Sequence, residues 1–326
     1  MYPLKFEDIL RPIIWGGEEI SRFKQLPEIH PGVGESWEIS QVGDRVSVVS
    51  EGADKGKNLT ELIKRDGAAL LGKHVTERYG EKFPLLIKFI DAHDNLSIQV
   101  HPNDEVAMAR HNSFGKTEMW YVIDAKPGAG LYSGFSQQIT PEEYVERIKN
   151  NTITDVLQFH KVKSGDVFFL PAGRIHAICK GILIAEIQQS SDITYRIYDY
   201  DRRDAQGNPR ELHVEQSIAA VDFKMYDNLR TQYEARNNDA VTLVECPFFE
   251  TNLIEVDKSV KRPVAAHDSF VIYMCMGGKV RLTDNNGYTI MLHQGQTSLV
   301  PAALESVTIE AESPAKLLEC YIPVQK

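Results

Sequence analysis

The sequence predicts a mainly β protein made of two jelly-roll β-barrels with a small helical insert. Three observations carry this. Most of the 326 residues fall into short runs rich in Val, Ile, Phe and Tyr, punctuated by Gly, Asp, Asn or Pro, which is the pattern of strands and turns. Helical periodicity is confined to a few places, and many short strands with few helices imply a sandwich or jelly roll. The string Gly165-x5-Pro171-x-Gly173-x2-His176 also has an echo in Gly295-x5-Pro301-x-Ala303-x2-Ser306, each copy with its own hydrophobic strand. The echo doubles the barrel, and Ser306 stands where the first copy has His176.

In chain order, strands are expected at 45–49, 85–90, 96–101, 118–123, 167–170, 182–188, 270–275 and 279–282. Helices are expected at 59–71, at 140–150 and at 214–221. Thr140 before Pro141 reads as an N-cap with proline at the first helical position. The polar segment 228–239, with Arg230, Arg236 and Asn237-Asn238, reads as the linker. This divides the chain into 1–235 and 236–326.

Apolar content of 42% and charged content of 25% are those of a soluble globular protein. A net charge of −10 argues against nucleic-acid binding, which needs a basic face. A small anion remains admissible, because a few converging Lys and Arg make a locally positive pocket. Cys179, Cys246, Cys275 and Cys320 are far apart and form no C-x-x-C pair, so reduced thiols in a cytoplasmic protein are expected. No signal-peptide pattern opens the chain, and no apolar run approaches the roughly 20 residues of a membrane helix.

Three stretches can assemble one metal site: Ser97-Ile-Gln99-Val-His101-Pro102, Gly115-Lys116-Thr-Glu118, and the run from Gly165 to His176. Gln99 and His101 sit two apart, which on a strand turns both to one face. Two imidazoles, a carboxylate and an amide oxygen form a mixed N/O set that suits zinc with an open position. Lys116, two before Glu118, shares its face.

The 165–176 run fits the second motif of the cupin superfamily up to the histidine, with Lys180 replacing the motif's final Asn. The first motif normally opens H-x-H, and here Gln99-Val-His101 stands in its place. That departure resembles type I mannose-6-phosphate isomerases. So do Ile14-Trp-Gly-Gly17, Gly34-Glu-Ser-Trp-Glu-Ile-Ser40, Asn95-Leu-Ser-Ile-Gln-Val-His-Pro102 and Gln189-Ser-Ser-Asp192-Ile-Thr-Tyr-Arg196, in the expected order. The short segment between Glu118 and His176 is similar to the family's short bacterial form. The resemblance implies two cupin-like barrels with metal only in the first, and one zinc ion held by Gln99, His101, Glu118 and His176. It implies a catalytic Arg196, with Lys116 and Asp192 near the reacting carbons. It also implies Ser97 and Arg202 at the phosphate of a small phosphosugar partner, in a monomer or weak homo-oligomer.

An aldose–ketose isomerisation passes through an enediolate, whose negative charge a Lewis-acid metal and a fixed cation stabilise. Near zinc and Arg196, Lys116 is expected to lose its proton more easily. Asp192 and Arg196, four apart, meet on a helical turn but not along a strand. Arg202 and Arg203 lie in the charged stretch from Asp199 to Asp204, which reads equally well as a solvated loop. Two rival functions remain. A non-haem iron oxygenase would use two His and one Glu, but Gln99 argues against it. A non-catalytic sugar-phosphate-binding cupin would be expected to lack Lys116 or Arg196, and both are present. His93, His111, His160, His213 and His267 match no ligand spacing, and Trp15, Trp37 and Trp120 read as core or cavity wall.

Overall fold

The computed structural model describes residues 1–203 and 206–325; Asp204 of the charged stretch lies outside them. Four large antiparallel sheets stack in layers. A five-stranded sheet (Leu157–Lys161, Gly130–Phe135, His176–Ile178, Ile98–Val100, Tyr195–Tyr198) faces a seven-stranded one containing Val167–Leu170, Glu118–Ala125, Ile182–Gln189, Leu85–Ala92 and Val33–Ile39. A six-stranded sheet holding Val271–Gly277, Ala315–Tyr321 and Glu250–Val256 faces a four-stranded one built on Lys279–Asp284 and Ser306–Ala311. These are two jelly-roll sandwiches, and their sheets do not close into barrels.

Alternation assigns each strand's side chains to a layer. Met119 and Tyr121 join Ile87, Phe89, Ile272 and Leu318 in a core between the seven- and six-stranded sheets. Trp120 and Val122 point the other way, to Leu131 and Ile178 of the five-stranded sheet. Every residue of Leu85–Ala92 and Ile182–Gln189 is therefore buried. Burial of each large apolar side chain contributes about 1.5–3 kcal/mol, so the paired sandwiches stabilise one another. Tyr144 and Ile148 of the helix Pro141–Lys149 cover the outer face of the five-stranded sheet, against Ile98 and Val100.

The expected helix over 59–71 forms as two pieces. Asn58 and Glu61 make a capping box for Leu59–Asp66, and Gly67, at φ 50°, breaks the helix before Ala68–Leu71. The helix at Pro141–Lys149 starts as expected, with Thr140 Oγ1 accepting from Glu143 N at 3.2 Å. That at 214–221 is shorter, Val214–Ile218. Three α-helices among the described residues were not expected, Glu19–Phe23, Lys73–Tyr79 and Asp104–His111. Within 228–239, Arg230–Thr231 adds an edge strand to Val167–Phe168, just as Leu4–Lys5 edges Thr297–Val300 in the six-stranded sheet.

The internal echo is real in three dimensions. Asp166 N donates to Lys163 O and Lys163 N to Asp166 Oδ2; Gln296 N donates to His293 O and His293 N to Gln296 Oε1. Arg174 N to Pro171 O is repeated as Leu304 N to Pro301 O. Gly165 and Gly295 hold φ 89° and 79° in matching turns. The strands that follow pair alike: Leu170 lies opposite Glu118, and Val300 opposite Val271. The second sandwich thus has Val271 and Ser306 where the first has Glu118 and His176.

Candidate active site

Three adjacent strands of the five-stranded sheet set one row of side chains. Gln99 lies between His176 on one side and Arg196 on the other. Ile98 and Val100, of opposite parity, go into the core beneath the helix. Glu118 comes from the facing sheet and His101 from just beyond the strand end.

His101 Nε2 is 3.6 Å from Glu118 Oε2, and His176 Nε2 is 3.2 Å from Glu118 Oε1. One ligand atom from each of the three lies within 4.8 Å of the others, and all three residues are buried. His101 Nδ1 donates to Ile193 O and His176 Nδ1 to Arg174 O, both at 2.8 Å. A carbonyl only accepts, so the proton sits on Nδ1 and the Nε2 lone pairs face Glu118. Burial, then the nearby Lys116, pushes both imidazoles well below their ordinary range, His176 to about 3. Burial raises Glu118 to about 7. Neither Glu118 oxygen nor His176 Nε2 has a hydrogen-bond partner among the described residues. Orphaned buried acceptors are costly. Two neutral imidazole nitrogens and a carboxylate in this arrangement fit a divalent cation.

Lys116 Nζ stands 2.9 Å from Glu118 Oε2, an ion-pair distance without hydrogen-bond alignment, and 3.1 Å from His101 Nε2. Burial works against its charge, but Glu118 and Glu186 outweigh burial and raise its pKa. The easier deprotonation expected of Lys116 depends on a neighbouring zinc ion, whereas this upward direction is set by Glu118 and Glu186.

Above the cluster opens a cavity of 320 Å³, lined by Ser97, Gln99, Lys116, Asp192 and Arg196 among others. Ser97 is buried, while Asp192 is exposed at the mouth. Asp192 precedes the strand Tyr195–Tyr198, so no helical turn joins it to Arg196; the first reaches the cavity from a loop and the second from the strand. Arg196 Nη1 donates to Glu211 O at 2.9 Å, and its Nε is buried without a partner among the described residues. Arg202 is not brought to the cavity. Its Nη1 goes to Asn95 O and its Nη2 to Asp199.

The cavity also holds charges that the sequence reading missed. Arg11 pairs with Glu35 at 2.8 Å, and Lys88 with Glu186 at 3.2 Å. Trp120 Nε1 donates to Glu186 Oε2 at 2.8 Å. Arg210 completes the lining. A signal existed for two of them: Lys88 and Glu186 each interrupt a largely apolar strand. Arg210 lies in a loop and carries none.

A cupin-type jelly roll with a buried His–Glu–His cluster beneath a cation-lined cavity has the architecture of an enzyme with a candidate metal site. Comparison with known proteins narrows it. Residues 4–127 match the model for the phosphomannose isomerase type I catalytic domain, and 239–317 that for the mannose-6-phosphate isomerase cupin domain. The chain is 35% identical to mannose-6-phosphate isomerase ManA of Bacillus subtilis, over 94% of this chain and 96% of that protein. It is 37% identical to the mannose-6-phosphate isomerase of Streptococcus mutans, over 86% and 87%. The crystal structure of mannose 6-phosphate isomerase from Bacillus subtilis superposes with a TM-score of 0.87 at 31% identity, covering 98% of this chain and 99% of that one. The chain belongs to the type I phosphomannose isomerase family, and is an enzyme of the aldose–ketose isomerase class.

Proposed function

We propose that this protein interconverts D-mannose 6-phosphate and D-fructose 6-phosphate, using one zinc ion per chain held by Gln99, His101, Glu118 and His176. The observation that carries the reading is the convergence of two neutral Nε2 atoms on an unpartnered buried carboxylate, beside a cavity lined by Lys116 and Arg196. All these residues belong to 1–235, to which we assign catalysis; 236–326 supports it by packing.

Moving the carbonyl between C1 and C2 takes a proton from one carbon to the other through an enediolate. When bound, zinc supplies a Lewis acid that polarises the sugar's oxygens. Arg196, always charged and tied to Glu211 O, meets the negative charge that grows on the enediolate oxygens. Lys116 is the proton-transfer group. With Glu118 engaged as a metal ligand, burial of Lys116 would favour its neutral amine. Asp192 orients the sugar from the cavity mouth, and Ser97 donates a hydrogen bond within the cavity.

The test is a coupled assay of purified protein with mannose 6-phosphate, before and after chelation and zinc reloading. Formation of fructose 6-phosphate that is lost on chelation and regained with zinc is expected. Turnover indifferent to metal removal, or none after zinc is restored, overturns the reading.

A further inference from the structure

Arg210 enters the cavity because its segment is laced to the strand that bears Arg196. His213 N donates to Arg196 O at 2.7 Å, Arg196 N to His213 Nδ1 at 3.1 Å, and Arg196 Nη1 to Glu211 O at 2.9 Å. Asp199, on the residue after that strand, is buried and accepts from Arg210 Nε and Nη2 and from Arg202 Nη2. One carboxylate therefore serves two guanidiniums, with Arg196 close by. Burial, then the neighbouring Arg210, lowers Arg196 below its ordinary range. Arginine stays charged regardless. Of the charged residues that line the cavity, Arg11, Lys88, Lys116, Arg196 and Arg210 outnumber Glu35, Glu186 and Asp192, and Glu35 and Glu186 are matched by Arg11 and Lys88.

We infer that Arg210, braced by Asp199, is the residue that fixes the substrate's phosphate dianion, and that Arg202 acts only through Asp199. This rests on the phosphosugar reading above and adds where the phosphate binds. The geometry suits the task. Asp199 uses the Nε edge of Arg210, and among the described residues no hydrogen bond engages its Nη1, which can donate to an anion. Ser97 and Arg196 line the same cavity. Arg202 has Nη1 and Nη2 both engaged on this chain's own oxygens and does not line the cavity. A guanidinium held in a fixed pose loses less side-chain freedom on binding phosphate.

The experiment compares zinc-loaded wild type with Arg210→Met, Arg210→Lys and Arg202→Met. It measures kcat and KM for mannose 6-phosphate, and inhibition by inorganic phosphate and by neutral mannitol. Arg210→Met is expected to raise KM and the phosphate inhibition constant together by roughly 10- to 100-fold, the range of a lost hydrogen bond to a charged group. Its kcat should change far less, and mannitol inhibition should not move. Arg210→Lys should recover part of the loss. Arg202→Met should shift KM by a smaller factor than Arg210→Met. An unchanged KM and phosphate inhibition in Arg210→Met, or a larger effect from Arg202→Met, overturns the inference. Mannitol inhibition weakening in step with phosphate inhibition would mean general damage and also overturns it. If wild type itself fails to turn over mannose 6-phosphate, the functional reading falls instead.

Discussion

Lys116 and Glu118 lie two residues apart in the chain, and their charged ends lie 2.9 Å apart at the base of the cavity. The pair puts a proton-carrying amine beside the buried carboxylate that a cation would need. Competition for Glu118 is thus part of the site's design, and the pH and metal dependences follow from it.

Burial holds Glu118 up at about 7, whereas a metal ligand must be ionised. Both imidazoles stay neutral far below that pH, so they add no competing proton. Zinc affinity of the stripped protein is expected to fall about tenfold between pH 8 and pH 6, the loss of ionised form for a group with that pKa. Competition titration with a chromophoric chelator measures it. An affinity flat across this window would remove Glu118 from the ligand set.

Lys116→Met should lower kcat by roughly 10²–10⁴, the usual weight of a positioned acid/base. Zinc affinity should hold or rise, because the amine no longer competes for Glu118. Metal content of the purified variant, read beside its turnover, checks both; a variant that loses zinc would show that Lys116 acts on the site's integrity instead.

Arg196→Ala should cost roughly 10²–10³ in kcat, the range for a donor aimed at developing negative charge. Bound zinc should be unchanged, since Arg196 touches none of the three clustered ligands. A variant with wild-type turnover would exclude this guanidinium from the chemistry.

The two sandwiches are also joined by a buried ion pair. Lys24 Nζ donates to both oxygens of Glu38 at 2.7 Å and to Gly295 O of the second sandwich at 2.6 Å. Lys24→Met strands Glu38 as an uncompensated buried charge and should destabilise the fold by about 3–5 kcal/mol. Burial raises Glu38 to about 7. A folded pKa above the unfolded value means that its contribution is full below the usual carboxylate range and lost as pH rises through 7. The variant's deficit should therefore be smaller at pH 5 than at pH 8 in denaturant titrations. Equal deficits at both would refute this account.

Much of the site was legible locally. Strand alternation turns Gln99 away from Ile98 and Val100, whereas Lys116 precedes the strand that begins at Glu118 and is placed by Lys116 N donating to Pro102 O. The Gly165 and Gly295 turns carry their hydrogen bonds within a few residues, so the duplication could be read directly. What escaped depended on distant partners. Lys73–Tyr79 begins at Gly72, whose φ of 99° and close approach to Asp268 O are set by the other sandwich.

The sequence by itself determined the jelly-roll class, because backbone sterics and short-range alternation act within a few positions, and its motifs pointed to the family and to the residues of the candidate metal site. Only the tertiary structure decided which charges those residues meet. Lys116 meets Glu118 and Glu186, Arg202 is drawn onto Asp199, and Arg210 rather than Arg202 lines the cavity. Coulomb interactions depend on distances between segments far apart in the chain, and those distances exist only once the sheets have paired and the loops have closed over them.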